Sequence, residues 1–212
     1  MKSTEFYHII LAILVFTVVI GFVPAIKGDF NTFAQSFFFA TIIILVAVFS
    51  KKIMAQMLDA SVEHTTWTFS RYGIKPGQHL KKPIPAGIIF PLFLTLFSLG
   101  TWKFPAILTY ETKASKYRAA KRHGYYSYTE MTDFHNGLIG AAGLFSVLIL
   151  AFVVYFLPTD LEYLSQMAII YTVVNLIPIS NLDGTQIFFG SRVLWTTLAT
   201  ITAFFAFAAI LI

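Results

Sequence analysis

Six runs of about twenty residues in this chain hold no Lys, Arg, Asp or Glu: 7–26, 30–50, 83–102, 134–159, 163–182 and 193–212. A hydrocarbon core of roughly 30 Å demands that length of a helix, and inside lipid a helix is the way such a run satisfies its own backbone hydrogen bonds. The expected fold is all-α and polytopic, an integral membrane protein whose single membrane domain covers 1–212. Composition points the same way: 57% of the 212 residues are hydrophobic and 12% are charged, roughly half the usual charge of a soluble domain, which leaves no room for a soluble catalytic unit. With no cysteine, disulfides, thiolate zinc sites and thiol nucleophiles are excluded. The net charge of +5 does not argue for nucleic acid as a partner, because the basic residues lie between apolar runs, where membrane topology accounts for them.

The third run departs from the rest. Pro83, Pro85, Pro91, Gly100 and Pro105 interrupt it and Lys103 closely follows it, so one straight helix is not expected. Six basic residues lie in 51–82 and five in 113–122, which puts both loops on the cytoplasmic side. Both can be cytoplasmic only if 83–109 enters the protein and returns, with its apex near Gly100–Lys103. Five spans then remain, or six if the basic loops are split between the two sides. The expected order is a first span at 7–26, a second span with a cytoplasmic extension over 36–72, and the re-entrant or broken segment 83–109. A basic loop at 110–133, rich in tyrosine and resting on lipid headgroups, leads to core spans over 134–182 and a last span at 192–212. The amino terminus is expected inside and the carboxyl terminus outside.

The densest group of unusual residues is Asn175-Leu176-Ile177-Pro178-Ile179-Ser180-Asn181-Leu182-Asp183-Gly184. Pro178 breaks an apolar helix and frees a backbone carbonyl. Asn175 and Asn181 can satisfy freed polar groups, and Gly184 allows a turn that aims Asp183 into the bundle. A carboxylate at membrane depth is a functional candidate by default, although Asp also serves well as a helix cap. Asp59 and Glu63 stand at i and i+4 on the expected extension of the second span, with His64 beside them. Together with Asp183 they would form an oxygen-rich set suited to hard cations rather than zinc; the plainer reading is a solvated face. His8, His79 and His123 read as interfacial, and His135 as a side chain that Asp133 or Glu130 would orient.

The run 175–184 resembles the signature N-x-x-P-x-x-x-L-D-G of the site-2 protease family of intramembrane zinc metalloproteases, matching it at every fixed position. Gly137-Leu138-Ile139-Gly140-Ala141-Ala142-Gly143 resembles the family's small-residue helix, and Arg71-Tyr72-Gly73-Ile74 resembles the R-x-G-I/V that follows its H-E-x-x-H helix. The resemblance implies a three-helix core over 52–72, 134–157 and 163–178, with Asp183 as a metal ligand and Asn175 and Pro178 near bound substrate. It also implies transmembrane helices of other proteins as partners, besides membrane lipid. Alignment on 71–74 places Ser61-Val62-Glu63-His64-Thr65 where H-E-x-x-H belongs, and no H-E-x-x-H occurs elsewhere. That motif supplies two histidines one turn apart for zinc and a glutamate for the attacking water. The expectation is therefore a catalytically inactive pseudoprotease that needs no cofactor and binds or regulates transmembrane helices. The alternative is an active metalloprotease on zinc, in which Asp183 works with Asp59, Glu63 or His64 and the catalytic candidates are Glu63 and His64.

Overall fold

A computed structural model describes residues 3–71, 79–115, 131–157 and 161–210. Helix α1 (Ser3–Lys27) turns back through Gly28 into α2 (Phe30–Met57), whose first turn is capped by Asp29 accepting from the Thr32 amide at 3.2 Å and the Thr32 hydroxyl at 2.5 Å. These two helices and α4 (Asp133–Tyr155) are long and apolar enough to cross a membrane. Helix α5 (Glu162–Leu176) packs against α4, the short helix α6 (Asp183–Gly190) lies across α4, and α7 (Arg192–Ile210) covers α5. One apolar core runs through α1, α2, α4, α5 and α7, from Phe16 and Val19 through Ile43 and Ala47 to Leu144, Val147 and Met167.

The expectation of an all-α chain requires one correction. Four short strands form two antiparallel pairs: β1 (Ala60–Thr66) with β4 (Leu108–Ala114), and β2 (Phe69–Arg71) with β3 (His79–Ile84). Helix α2 ends at Met57, so the expected helical extension over 36–72, and with it the core helix 52–72, stops there. Leu58 closes the helix by donating to the carbonyls of Met54 and Ala55, and Asp59 takes a left-handed conformation at φ 51°. Beyond it burial alternates along β1, with Ala60, Val62, His64 and Thr66 inward, the period of two that a strand imposes. The β-branched residues Val62, Thr65 and Thr66 favour that geometry over a helix.

Between β3 and β4 the chain makes an excursion. Helix α3 (Ala86–Phe97), which contains Pro91, packs along α1. The turn at Leu99 and Gly100 is left-handed at both residues, φ 52° and 83°, and Gly100 lies against Phe22 and Val23 near the far end of α1. From there 103–107 returns without helix. The Lys103 ammonium donates to the Tyr163 hydroxyl at 3.2 Å at the start of α5, and Asn175 Nδ2 donates to the Pro105 carbonyl at 3.2 Å near its end. Trp67 N–H reaches the Ile107 carbonyl at 2.8 Å, back beside β1. The segment thus leaves and rejoins one end of the helix bundle. In that return the Lys103 ammonium and the Pro105 and Ile107 carbonyls bond to protein groups, the kind of partner that lets non-helical backbone be tolerated among membrane helices.

Candidate functional site

Helix α5 stops because Pro178 has no N–H to continue it, and Ile177 before the proline is extended at ψ 127°. Carbonyls on both sides of the break accept from side chains of other segments. The Leu176 carbonyl accepts from Trp195 Nε1 at 2.9 Å, and the Asn181 carbonyl accepts from Thr109 Oγ1 at 2.5 Å and from Gln186 Nε2 at 3.4 Å. Asn175 is 1% exposed and its Nδ2 also donates to Tyr171 O at 2.9 Å, so it pins the broken helix to the returning segment. After the left-handed Ser180, α6 begins at Asp183, and Gly184 lies so close to the Leu176 carbonyl that no side chain would fit. This packing turns Asp183 inward.

The side chain that meets Asp183 there is Lys51, from the last turns of α2. Its ammonium donates to Asp183 Oδ2 at 2.5 Å, and the two side chains are 2% and 1% exposed. The lysine stem reaches that place through a slot in α4: a Cβ on Gly143 would stand 2.5 Å from Lys51 Cε and 2.8 Å from Cγ. One turn earlier, Gly140 leaves room for the Tyr110 hydroxyl, which donates to the Asn136 carbonyl at 2.7 Å. The Tyr110 ring lies under the ammonium, 4.7 Å from Nζ. Burial, helped by the nearby Asp183 charge, pushes the Tyr110 phenol well above its ordinary value, so it remains a donor. Lys51 therefore has a carboxylate, an aromatic face and a glycine-lined passage built for it. Asp183 Oδ1 finds no partner among the described residues.

A second polar group lies beside the first. Glu5, from the first turn of α1, accepts from Lys52 at 2.8 Å and from both His64 Nδ1 at 3.1 Å and the His64 amide at 3.3 Å. His64 is 1% exposed, and burial, aided by the Lys51 charge, lowers its pKa to about 4, so the imidazole is neutral near pH 7. Lys52 and Glu5 border an open cavity of about 580 Å³ with Gln56, Ser61 and Glu63.

Of the residues expected around Asp183, none of the other three reaches it. Glu63 is turned outward on β1 and binds Lys113 at 2.9 Å, His64 serves Glu5, and Asp59 occupies the left-handed turn after α2. The i, i+4 argument for Asp59 and Glu63 required a helix that β1 replaces. Among the described residues no group of three His, Asp or Glu side chains is placed to hold a metal ion. His135 is oriented by Thr132 at 2.5 Å rather than by Asp133, and Glu130 lies outside the described residues, as do Tyr72, Gly73 and Ile74. Pro178 is exposed and lines a groove of about 510 Å³ between α5 and α7, with Val173, Trp195, Ala199 and Ala203. The residue missed in the sequence was Lys51, whose available signal was its place at the end of a charge-free run, one residue before a second lysine. No protein-family model, curated protein or solved structure matches the chain.

Proposed function

We propose that this is a membrane pseudoprotease, a site-2-protease-like scaffold that binds or regulates transmembrane helices without cutting them. The observation that carries the reading is the ammonium of Lys51 seated on Asp183. In the family that 175–184 resembles, the aspartate is a zinc ligand, and a ligand must be an available anion. Here a cation tethered to α2 already neutralises it in a buried site. A divalent ion entering beside that ammonium would face like charge at short range in a poorly screened place.

The pair also suggests a better register for the lost motif than Arg71–Ile74 does. Lys51 and Ala55 stand at i and i+4 on α2 and are both buried, so Lys51-Lys52-Ile53-Met54-Ala55 takes the place of H-E-x-x-H. Read so, an ammonium replaces the first histidine, a methyl group the second, and Lys52, bound to Glu5, the glutamate. None of the three supplies the imidazole or the carboxylate that the motif uses for its metal and its water. Multi-pass insertion with the basic loops cytoplasmic, and lipid and single transmembrane helices as partners, complete the reading. The competing reading, an active metalloprotease with unusual ligands, has Asp183 Oδ1 in its favour, since that oxygen is unclaimed among the described residues.

Metal analysis of the purified chain together with cleavage of a model membrane substrate separates the two. The pseudoprotease retains less than stoichiometric zinc after dialysis and leaves the substrate intact. One tightly held zinc per chain, lost together with cleavage in Asp183→Ala, would refute it.

A further inference from the structure

A polar pit of about 310 Å³ opens between the amino-terminal turn of α4 and α6, lined by Asp133, Asn136, Asn181, Thr185, Gln186 and Phe189. It lies at the same end of the bundle as β1, β4 and the end of α2, since Asn136 Oδ1 accepts from Thr112 Oγ1 at 3.1 Å and the Asn136 carbonyl from Tyr110. Its hydrogen-bonding capacity is unbalanced. Gln186 Nε2 is committed to the carbonyls of Tyr110 at 3.0 Å and Asn181 at 3.4 Å, which fixes the amide and leaves its oxygen as an acceptor. That oxygen and Thr185 Oγ1 are both buried and find no partner among the described residues. Asp133 adds a carboxylate at the rim, and none of the ion pairs among the described residues involves it. Phe189, 74% exposed, supplies an aromatic wall. Spare acceptors, a carboxylate and an open ring face match a primary ammonium or guanidinium on an apolar stem.

We infer that this pit receives the basic side chain, lysine or arginine, that a client transmembrane helix carries just beyond its cytoplasmic end. The inference rests on the client-binding reading above and names the feature by which a client is recognised. Cytoplasmic flanks of membrane helices are enriched in Lys and Arg, and α6, which carries three of the lining residues, begins at Asp183, so a helix bound near the Asp-Gly turn would bring such a side chain to the pit. The methylenes lie along Phe189 while the charged head meets Asp133 and the Gln186 oxygen. Recognition of this kind selects clients by one flanking charge and ignores the sequence of their apolar part.

The test uses the full chain in nanodiscs and two fluorescent single-span peptides that differ only in a lysine or an alanine just past the apolar segment. The lysine peptide binds about fivefold more tightly to the wild type, the scale of a partly exposed ion pair, and the preference falls to about one in Asp133→Asn. Asp133 is exposed, so the asparagine variant keeps its fold, and the ratio of the two affinities is insensitive to any general loss. Gln186→Leu lowers the same ratio. Equal binding of the two peptides to the wild type, or a preference that survives in Asp133→Asn, overturns the inference and leaves client binding standing. Binding of neither peptide to the wild type overturns the client-binding reading, and the inference with it.

Discussion

Lys51 and Lys52 are neighbours on one helix, each holds a carboxylate from another helix, and their surroundings could hardly differ more. Lys51 and Asp183 are sealed, at 2% and 1% exposure, and tie α2 to α6 across 132 residues of sequence. Lys52 is 22% exposed at the edge of an open cavity, and its partner Glu5 is shared with His64. A hundred degrees of helix rotation separates a charge enclosed by protein from one that water can reach. The enclosed pair decides what the Asp183 site can bind. The open one holds the start of α1 to the end of α2, and through Glu5 it adjoins the first strand.

The largest test of this contrast removes one member of the enclosed pair. Asp183→Ala or Lys51→Ala leaves a buried charge uncompensated and lowers stability by about 3–5 kcal/mol, read from unfolding in detergent. Lys51→Met combined with Asp183→Leu recovers most of that loss, since a buried ion pair replaced as a unit by apolar groups is often close to neutral. Equal losses in the single and double variants would show that packing, and not charge, holds this place together.

Acid probes the shared carboxylate from its other side. The unfolded His64 imidazole takes a proton near 6.5, and the folded one, held neutral mainly by burial, does so only at about 4. Between those values the unfolded state binds the extra proton, so stability is complete above about pH 6.5 and falls as pH drops towards 4. The slope contributed by this one group is at most about 1.4 kcal/mol per pH unit. Comparison of unfolding at pH 7 and pH 5 in the wild type and His64→Asn isolates it; an unchanged slope in the variant would assign the acid sensitivity to other groups. Smallest of all is Lys52→Ala, at about 1 kcal/mol, because the ammonium it removes is partly exposed and the buried Glu5 keeps its bonds from His64. A loss as large as that of Lys51→Ala would erase the distinction between the two lysines.

Much of the architecture can be read locally. The break at Pro178 and the inward Asp183 follow from a missing N–H and a glycine, both visible in ten residues. The prolines of 83–109 announce that no single long helix fills it, and α3 covers only Ala86–Phe97. Where the reading fails, a partner lies far along the chain. Strand β1 is built by pairing with β4, Glu63 opposite Glu111 and Ser61 opposite Lys113, a contact about fifty residues away that no local pattern announces. Taken alone, Asp59 and Glu63 at i, i+4 satisfy helix spacing equally well. Lys51 escaped notice for the same reason, since a lysine at the end of an apolar run reads as a side chain stretching towards headgroups. Only Gly143, on another helix, discloses the passage that leads it inward.

The stretch from Lys103 to Ile107 carries a last consequence. Lys103 and Pro105, two residues apart, are tied to Tyr163 and Asn175, which stand about 18 Å apart on α5 at 1.5 Å per residue, so the long Lys103 and Tyr163 side chains bridge most of that distance. A residue removed between these ties and β4 must be absorbed close by, and if β4 slipped one step along β1 the inner and outer faces of that strand would exchange and the Tyr110 ring would leave its place under Lys51.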